Sequence, residues 1–527
     1  MTEGKEEVRE LPKGWVLTTV KETIKIIDYR GRTPPYSENG VPHLRSSNIR
    51  NRKIVWENLR YVSEETYQAY MTRGLPEKGD VLFTTEAPLG EVALAPEQRF
   101  SLAQRMMILR PIKDLLLPKF LLYQIENEDF QRKLSKSGTG TTVTGVSSRN
   151  FQPTPIILAP LNEQNRIVEK IEELFSELDQ GIESLKTAQK QLKVYRQAVL
   201  KWAFEGKLTE EWRKQHQSTL KTGEALLTQI KAERENRYQQ QLAEWETAVK
   251  EWEAIEKVGK KPTKSQKLKE LPSLTESELG ELPELPNGWC WIYSGELFVF
   301  VTSGSRGWAQ YYSNSGAIFI RITNLDFNSL NLDLSPETIQ CVSLPSEVEG
   351  VRAKVQENDF LFSITGYLGM FAIIPPNLPE AYVNQHIVLA RPCRDLNYKY
   401  FGYYFIADAG GIKQFQEKQK GATKAGLTLD DIQTAKIPIP SSEEQEQIVE
   451  EIESRLSICD QLESTIIENL QKAEALRQSI LKQAFEGKLV PQDPNDEPAE
   501  KLLEQIQLER QEKRPPQTSK QLKIKGT

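Results

Sequence analysis

The chain has 527 residues, of which 38% are hydrophobic and 27% charged, with a formal net charge of −6. That length exceeds what one hydrophobic core organises and implies at least two domains. No N-terminal apolar stretch and no run of about 18 apolar residues occurs, which argues against secretion and membrane insertion and predicts a cytoplasmic protein.

Taken from its start, the chain opens on Leu11-Pro12-Lys13-Gly14-Trp15. Short β-type runs punctuated by Gly and Pro follow: Val81-Leu82-Phe83-Thr84-Thr85, Glu91-Val92-Ala93-Leu94-Ala95 and Met106-Met107-Ile108-Leu109-Arg110. A helical patch at 119–133 intervenes, and the mixture predicts a compact α+β domain over 1–160. Residues 162–204 then hold no Pro and one internal Gly, Gly181. Ile171, Leu178, Leu185, Leu192 and Val199 fall at seven-residue spacing there, with Ile167, Leu174, Ala188, Tyr195 and Trp202 along a second seam. Sustained heptads predict a coiled-coil helix over 161–208, stopped at Glu205-Gly206-Lys207-Leu208. Residues 209–284 carry a further amphipathic helix (Leu226, Ile230, Leu242, Trp245, Val249, Trp252), a lysine cluster from Lys257 to Lys269 and an acidic stretch. They read as a helical, charged linker insertion whose lysines suit a solvated connection better than DNA phosphates.

The chain then starts again. Leu285-Pro286-Asn287-Gly288-Trp289 opens a second α+β region, 285–440, with strand-type runs at Phe360-Leu361-Phe362-Ser363-Ile364, Met370-Phe371-Ala372-Ile373-Ile374 and Ile387-Val388-Leu389-Ala390-Arg391. Gln164-Asn165-Arg166-Ile167-Val168-Glu169 returns as Gln445-Glu446-Gln447-Ile448-Val449-Glu450, and Ala203-Phe204-Glu205-Gly206-Lys207-Leu208 as Ala484-Phe485-Glu486-Gly487-Lys488-Leu489. The second heptad helix, 441–489, places Ile452, Cys459, Ile466, Ala473 and Ile480 on one seam, flanked by Ile448, Leu462 and Leu476. A helical extension over 490–513 and a disordered tail over 514–527 complete the chain. A repeat this long is a tandem duplication of a domain plus a long helix. Each helix of about 43 residues spans roughly 65 Å, and both seams are buried most simply if the two pair antiparallel. The fold class is α+β: two tandem α+β domains separated by a long antiparallel two-helix coiled coil, with pseudo-twofold duplication.

Catalytic constellations are mostly absent: there is no Walker A, HExxH, GxSxG or dinucleotide fingerprint. Thr33-Pro34-Pro35-Tyr36 is similar to the loop with which amino-methyltransferases hold an extruded adenine, but no cofactor domain accompanies it and the second half has Ser305-Arg306-Gly307-Trp308 instead. It reads as a turn. Asp80 and Asp359 match across the halves, but nothing nearby completes a nuclease site, so they read as turn residues before a strand. Cys290, Cys341, Cys393 and Cys459 follow no CxxC spacing and read as reduced, buried residues. His43, His216 and His386 are too scattered for structural zinc. The acidic balance argues mildly against nucleic acid, yet the long helices carry much of the acid and a basic face can sit on an acidic chain.

What recurs is a set of polar side chains suited to base edges and phosphates. In the first half these are Arg45, Ser46, Asn48, Thr84, Thr85, Gln104, Arg105 and Thr141; in the second, Arg321, Thr323, Asn324, Ser363, Thr365, Gln385, His386, Thr423 and Lys424. Arg pairs with guanine, Asn and Gln with adenine, and Ser or Thr with base edge or phosphate. Gln104 and Gln385 equally suit backbone hydrogen bonds, and Arg45 and Arg321 equally suit framework ion pairs. Positions that differ between the halves are the better candidates for readout: Arg30, Arg32, Arg50, Arg52 and Arg105 against Arg306, Tyr367, His386 and Lys424; Ser305 is a further candidate for DNA contact.

The Leu-Pro-x-Gly-Trp openings, the Asp80…Leu89-Gly90 and Asp359…Leu368-Gly369 segments, the Gln104 and Gln385 strands ending in Arg110-Pro111 and Arg391-Pro392, the Glu-Gln helix starts and the Glu-Gly-Lys-Leu ends occur in one order, twice. In this the chain resembles the specificity subunit of Type I restriction–modification systems, over nearly its whole length. The resemblance implies two target-recognition domains, each reading half of a split double-stranded DNA site, with the paired helices as a ruler. It implies a non-catalytic chain that binds no cofactor or metal itself. Two methyltransferase subunits using S-adenosylmethionine, and restriction subunits using ATP and Mg, are the partners it implies, the methyltransferase subunits docking on exposed faces of 162–208 and 442–489. A catalytic DNA methyltransferase or fused restriction–modification enzyme is the rival reading, and a coiled-coil scaffold without DNA affinity is a second. Half-sites about one turn apart, near 34 Å, would lie on one face of the duplex.

Overall fold

The structure, a computed structural model, describes residues 10–29, 33–113, 115–138, 145–257, 261–264, 267, 269–304, 306–345, 350–394, 396–419 and 426–512. The chain forms two compact units, Met1–Lys186 with Ile466–Thr527, and Thr187–Thr465. Each unit contains one α+β domain and part of each of two 44-residue helices, Leu161–Phe204 and Ser442–Phe485. The tail expected at 514–527 lies outside the described residues.

In the first unit, strands Ile24–Asp28, Met106–Pro111, Val81–Thr85 and Leu89–Leu94 lie side by side in that order as an antiparallel sheet. Arg60–Val62, Val41–Leu44 and Ser101–Leu102 form a second sheet. The central strands open on continuous apolar runs, Val81-Leu82-Phe83 and Met106-Met107-Ile108-Leu109, because both faces are covered there, the sequence mark of a strand without a wet side. Phe83 and Met107 join Phe120, Phe130 and Phe151 in one core, while Leu82 and Ile108 join Val41, Leu44 and Val62 in another. The second unit repeats the plan. Phe298–Ser303, Ile387–Pro392, Phe360–Ser363 and Phe371–Ile373 take the same order, and Cys341–Val342, Ala317–Ile320 and Ala381–Val383 form the smaller sheet, here extended by Tyr312–Ser313.

Motifs far apart in sequence form one joint, built twice. In the first unit, Trp15 Nε1 donates to Glu163 Oε2 at 2.9 Å, and Gly14 O accepts from Ala499 N at 2.8 Å, where the helix Ala499–Glu512 begins. In the second, Trp289 Nε1 donates to Glu444 Oε2 at 2.8 Å, and Gly288 O accepts from Gly223 N at 2.7 Å, where the helix Gly223–Ala254 begins. Each long helix ends on a left-handed glycine, Gly206 (φ +70) or Gly487 (φ +69). Lys207 N bonds back to Trp202 O and Lys488 N to Gln483 O, the Schellman closure. A Cβ on Gly487 would lie 2.3 Å from Pro12 Cγ, and one on Gly206 2.4 Å from Pro286 Cγ. The Leu-Pro-x-Gly-Trp opening, the Glu-Gln start and the Glu-Gly-Lys-Leu end are therefore parts of a single packing unit.

The long helices run antiparallel in each unit. In the first, Asp179 pairs with Arg477, and Ile167, Ile171 and Phe175 share a core with Ile480, Leu481, Ala484 and Phe485. In the second, Arg196 pairs with Asp460 at 2.6 Å and Glu463 at 3.1 Å, and Val199, Leu200 and Ala203 share a core with Ile448, Val449 and Ile452. The seam Ile452, Cys459, Ile466, Ala473, Ile480 is buried along its length. The second seam differs from expectation at Tyr195, Trp202, Leu462 and Leu476, which are exposed. Two paired helices cover only one narrow stripe on each other, so a wider apolar stripe is left in solvent.

The insertion is more ordered than a linker. Glu210–His216 and Gly223–Ala254 are helical. Leu226 and Ile230 are buried on the second domain, and Arg234 meets the buried Glu296 at 2.8 Å. The lysines fold back along the longer helix: Lys261 lies over Trp252 and Lys264 over Trp245, with ring distances of 5.9 and 5.3 Å. Trp245 Nε1 donates to Pro262 O at 3.0 Å. All four cysteines are unpaired thiols, with Cys393 and Cys459 buried and Cys290 and Cys341 half-buried.

His43 gives the first domain an acid-sensitive point. It is buried beside Ser101, its Nδ1 2.8 Å from the hydroxyl, and burial, reinforced by Arg45 and Arg60, lowers its pKa from 6.5 to about 4. Tyr36 and Tyr70 flank its ring edge-on. The unfolded chain binds this proton below pH 6.5 and the folded chain does not, so stability is lost as pH falls from 6.5 toward about 4. The expected loss is about 3 kcal/mol at 1.36 kcal/mol per pKa unit. His43→Gln should flatten that slope, measured by denaturant unfolding across pH; an unchanged slope would mean other groups carry the acid response.

Candidate nucleic-acid interface

In the first unit, four chain segments converge at one end of the two sheets. Ala103 N donates to Leu44 O at 2.8 Å, Thr85 N to Arg105 O at 3.0 Å and Val146 N to Thr85 O at 3.0 Å. Ser46 Oγ adds a bond to Ala87 O at 3.2 Å. Residues 44–48, 84–88, 102–106 and 145–146 are thereby gathered. The second unit makes the corresponding bonds: Asn384 N to Ile320 O (3.1 Å), Ile364 N to His386 O (3.0 Å) and Leu427 N to Ile364 O (2.9 Å). Gly304 closes this end, since its N–H reaches Ile387 O at 3.1 Å and a Cβ there would lie 2.1 Å from Asn384 O.

Candidate side chains that are alike in the two halves turn inward. Asn48 Oδ1 accepts from Arg45 N at 3.1 Å and its Nδ2 donates to Val55 O at 3.1 Å. Asn324 does the same with Arg321 N and Asp333 O, both at 2.8 Å. Arg45 Nη2 donates to Asn58 O at 3.2 Å and Arg321 Nη2 to Thr338 O at 2.9 Å. Thr84 Oγ1 accepts from Glu91 N and Ser363 Oγ from Met370 N. Ser46, Asn48, Thr84, Thr85, Asn324 and Ser363 are all buried. Their hydrogen-bonding capacity is spent inside the domain, and for the Asn48–Asn324 and Thr84–Ser363 pairs, which hold the same loops in both halves, that accounts for their recurrence; Ser46 and Thr85 have Ile322 and Ile364 as counterparts. Arg50 is likewise turned onto Ser46 O at 2.9 Å, and Arg52 lies over the Phe175 ring at 4.8 Å.

The candidates left at the surface are mainly those that differ. Gln104, Arg105, Arg306, Thr323 and Tyr367 are exposed, Tyr367 by 71%, and Thr365, Gln385 and His386 are half-buried. One pair of backbone positions shows the divergence best. In the first unit it holds Arg105 and Glu86, Nε to Oε1 2.7 Å. In the second it holds His386 and Thr365, Nδ1 to Oγ1 2.8 Å, with Gln385 Nε2 3.0 Å from His386 Nε2. A carboxylate–guanidinium pair thus faces solvent where the other domain offers an imidazole, a hydroxyl and an amide. The Arg105–Glu86 pair is half-exposed and worth about 0–1 kcal/mol, so its guanidinium exchanges partners at little cost. Arg30, Arg32, Thr141, Ser305, Thr423 and Lys424 lie outside the described residues.

The sequence reading missed one buried device. Asp80 and Asp359 do cap turns, accepting from Glu77 N and Gln356 N, both at 2.7 Å. Each also receives a two-pronged guanidinium: Arg110 Nε and Nη2 on Asp80 at 2.7 Å, and Arg391 Nε and Nη2 on Asp359 at 2.7 and 2.8 Å. Burial raises the Asp359 pKa, and Arg391 opposes that rise. The joint recurrence of Asp before one strand and Arg-Pro at the end of another is the available signal. Tyr36 of the Thr-Pro-Pro-Tyr turn packs under Arg60, 4.5 Å from guanidinium to ring. Among the described residues no group of three or more His, Cys, Asp or Glu side chains is placed to hold a metal, and no helix is long and apolar enough to cross a membrane.

Comparison with known proteins gives consistent matches. The family model described as the Type I restriction modification DNA specificity domain matches residues 12–187 and again 348–472, in each case domain sequence together with part of a long helix. The EcoKI specificity subunit of Escherichia coli K12 is 23% identical over 95% of this chain and 96% of its own length. The StySPI specificity subunit of Salmonella potsdam is 21% identical over the same shares. A solved chain described under "Structural basis underlying complex assembly and conformational transition of the type I R-M system" superposes with a TM-score of 0.61 at 20% identity, over 91% of this chain and 99% of that one. It shares the fold.

Proposed function

Because the chain belongs to the family of Type I restriction modification DNA specificity domains, we infer that it reads a bipartite DNA site for a Type I restriction–modification complex. One half-site falls to residues 1–160 and the other to 285–440, with the helices at 161–208 and 441–489 as spacer. The observation that carries this is the pairing of similarly bonded buried loops, Asn48 and Thr84 matched by Asn324 and Ser363, with divergent rims, Arg105–Glu86 against His386–Thr365. Two copies of one reader that served the same bases would have no reason to differ there. Arg105, free to leave Glu86, suits the two acceptors of guanine, while His386, Thr365 and Gln385 suit a different edge. Gln104, Arg306, Thr323 and Tyr367 complete the proposed contact set. The buried candidates act through loop geometry.

On this reading the chain transfers no methyl group and cuts no strand. Methyltransferase subunits, two by the pseudo-twofold repeat, bring S-adenosylmethionine, and restriction subunits bring ATP and Mg. The exposed stripe that includes Tyr195, Trp202 and Leu462 supports docking on the helices, since solvent-facing apolar residues in a row mark contact surfaces. Lys207 and Lys488, exposed beside the glycine stops and paired with Glu205 at 2.6 Å and Glu486 at 2.8 Å, are the charged parts of the Glu-Gly-Lys-Leu ends that face solvent for such contacts.

The test is selection from random-sequence duplex DNA with the full chain. Wild-type protein should retain two short specified segments separated by an unspecified spacer. Arg105→Ala should relax a base in one segment by about 1–3 kcal/mol of discrimination, and His386→Ala should relax the other. Both variants acting on one segment, or a retained pool without two segments, would refute the reading.

A further inference from the structure

Arg52 sits where a small cost in backbone energy aims a charge away from solvent. Asn51 (φ 49) and Arg52 (φ 64) are successive left-handed residues joining the two-stranded ladder Ile49–Arg50 with Lys53–Ile54. Such turns favour Asn or Gly at both positions, and an Arg there is strained. Its guanidinium stacks on Phe175 of the central helix at 4.8 Å, and Arg477 of the distal helix stacks on the same ring at 4.5 Å. Phe175 is 3% exposed and meets Tyr123 edge-on at 5.7 Å. Glu126, from the domain, lies 3.5 Å from Arg52, and Asp179, from the central helix, lies 3.8 Å from it and pairs with Arg477. Arg52 Nη1 and Glu126 Oε2 are both buried and meet without hydrogen-bond geometry, so each depends on the charge of the other. Burial pushes the Glu126 carboxyl up to about 7, against the pull of Arg52 and Arg477.

The second unit has the helix part of this cluster without the domain part. Arg196–Asp460 occupies the place of Arg477–Asp179 in the repeat. Leu456 stands for Phe175 and Ile406 for Glu126, and the loop that carries Arg52, closed by Asn48 on Val55, is longer in the second half, where Asn324 closes on Asp333 with no Arg or Lys between them. There the domain meets the helix through Gln197 Oε1, which accepts from Asp408 N at 2.8 Å. The cluster is thus an addition to one half, on a frame that both halves share.

We propose that Arg52, stacked on Phe175 beside Arg477 and Glu126, is a positioning residue that locks the first recognition domain in one pose on the helix pair and so narrows the spacer lengths at which its half-site is accepted. Two opposite charges from the domain and two from the helices neutralise one another around a single ring, so rotation of the domain on the helices separates charges that are largely withdrawn from water, Asp179 being the one that is half-exposed. The proposal rests on the bipartite reading above, and its test separates the two.

Arg52→Gly fits the left-handed turn and removes the guanidinium; Phe175→Leu installs the residue of the second half. Amide hydrogen exchange on the full chain, without DNA, should rise about tenfold at residues 49–54 in both variants, as expected for losing a desolvated cation–π contact. Exchange in Val81–Thr85 should stay as in wild type, which shows that the domain remains folded. Unchanged exchange at 49–54 overturns the lock. Selection from random-sequence duplexes should return the wild-type bases in both segments but spacers spread over neighbouring lengths. Raised exchange with an unchanged spacer distribution overturns the effect on spacing. Failure of the wild-type chain to select two segments overturns the bipartite reading itself, and the spacing claim with it.

Discussion

Replacing Arg391 with alanine is expected to destabilise the second domain by about 3–5 kcal/mol, the cost of removing one partner from a buried ion pair. Asp359 is completely buried, and its two oxygens take Arg391 Nε and Nη2 at 2.7 and 2.8 Å. The same carboxylate accepts Gln356 N and so sets the turn before Phe360–Ser363, the strand paired with Ile387–Pro392 that carries Arg391 itself. Without the guanidinium, a charge already disfavoured by burial is left with one backbone donor, and protonating it would forfeit the turn geometry. Arg391→Lys should recover only part, because an ammonium cannot make the two-pronged contact. Hydrogen exchange in those two strands of the full chain reads the change. A loss below about 1 kcal/mol would show that the pair is solvated in solution.

How much of this was legible depends on the range of the interaction. Heptads, glycine stops and β runs are local signals, and the unbroken heptad stretches carry the helices Leu161–Phe204 and Ser442–Phe485. The joint of Trp15 with Glu163 and of Pro12 with Gly487 spans most of the chain. The repeat showed these residues to be preserved and could not show that they touch. The polar candidates divided in the same way. Asn48 and Asn324 recur because each closes a loop on Val55 O or Asp333 O, a backbone bond that sequence alone does not reveal. Arg105 and His386 stand at one backbone position with different partners, and difference between copies was the better guide to an outward role. Arg52 breaks that rule. It differs from its counterpart and turns inward, because Phe175 on a helix far along the chain offers an aromatic face.

Exchanging residues 11–160 for the corresponding domain of another family member should change one half of the recognised sequence completely and leave the other half unaltered. Much of the frame that receives this domain in the first unit is built on backbone atoms. Gln164 of the central helix accepts from Leu117 N at 3.0 Å and donates to Ala159 O at 2.8 Å, and Ala499 N donates to Gly14 O. A foreign domain that keeps the Leu-Pro-x-Gly-Trp opening supplies the Trp15 indole and the same main-chain partners, whatever its rim carries. Its rim then reads its own bases, and each lost base contact costs about 1–3 kcal/mol, so affinity for the original site should fall by about a thousandfold or more. The retained half still binds its segment, and the helices still present the two readers together at high effective concentration. The Arg52 stack is the exception, since it joins side chain to side chain. A donor domain lacking Arg52 and Glu126 should therefore bring new bases together with a broader spacer range, and restoring both residues should narrow that range without changing the bases. Selection from random-sequence duplexes reads base identity and spacing independently. A chimera that altered both halves, or neither, would show that the two domains do not read separately.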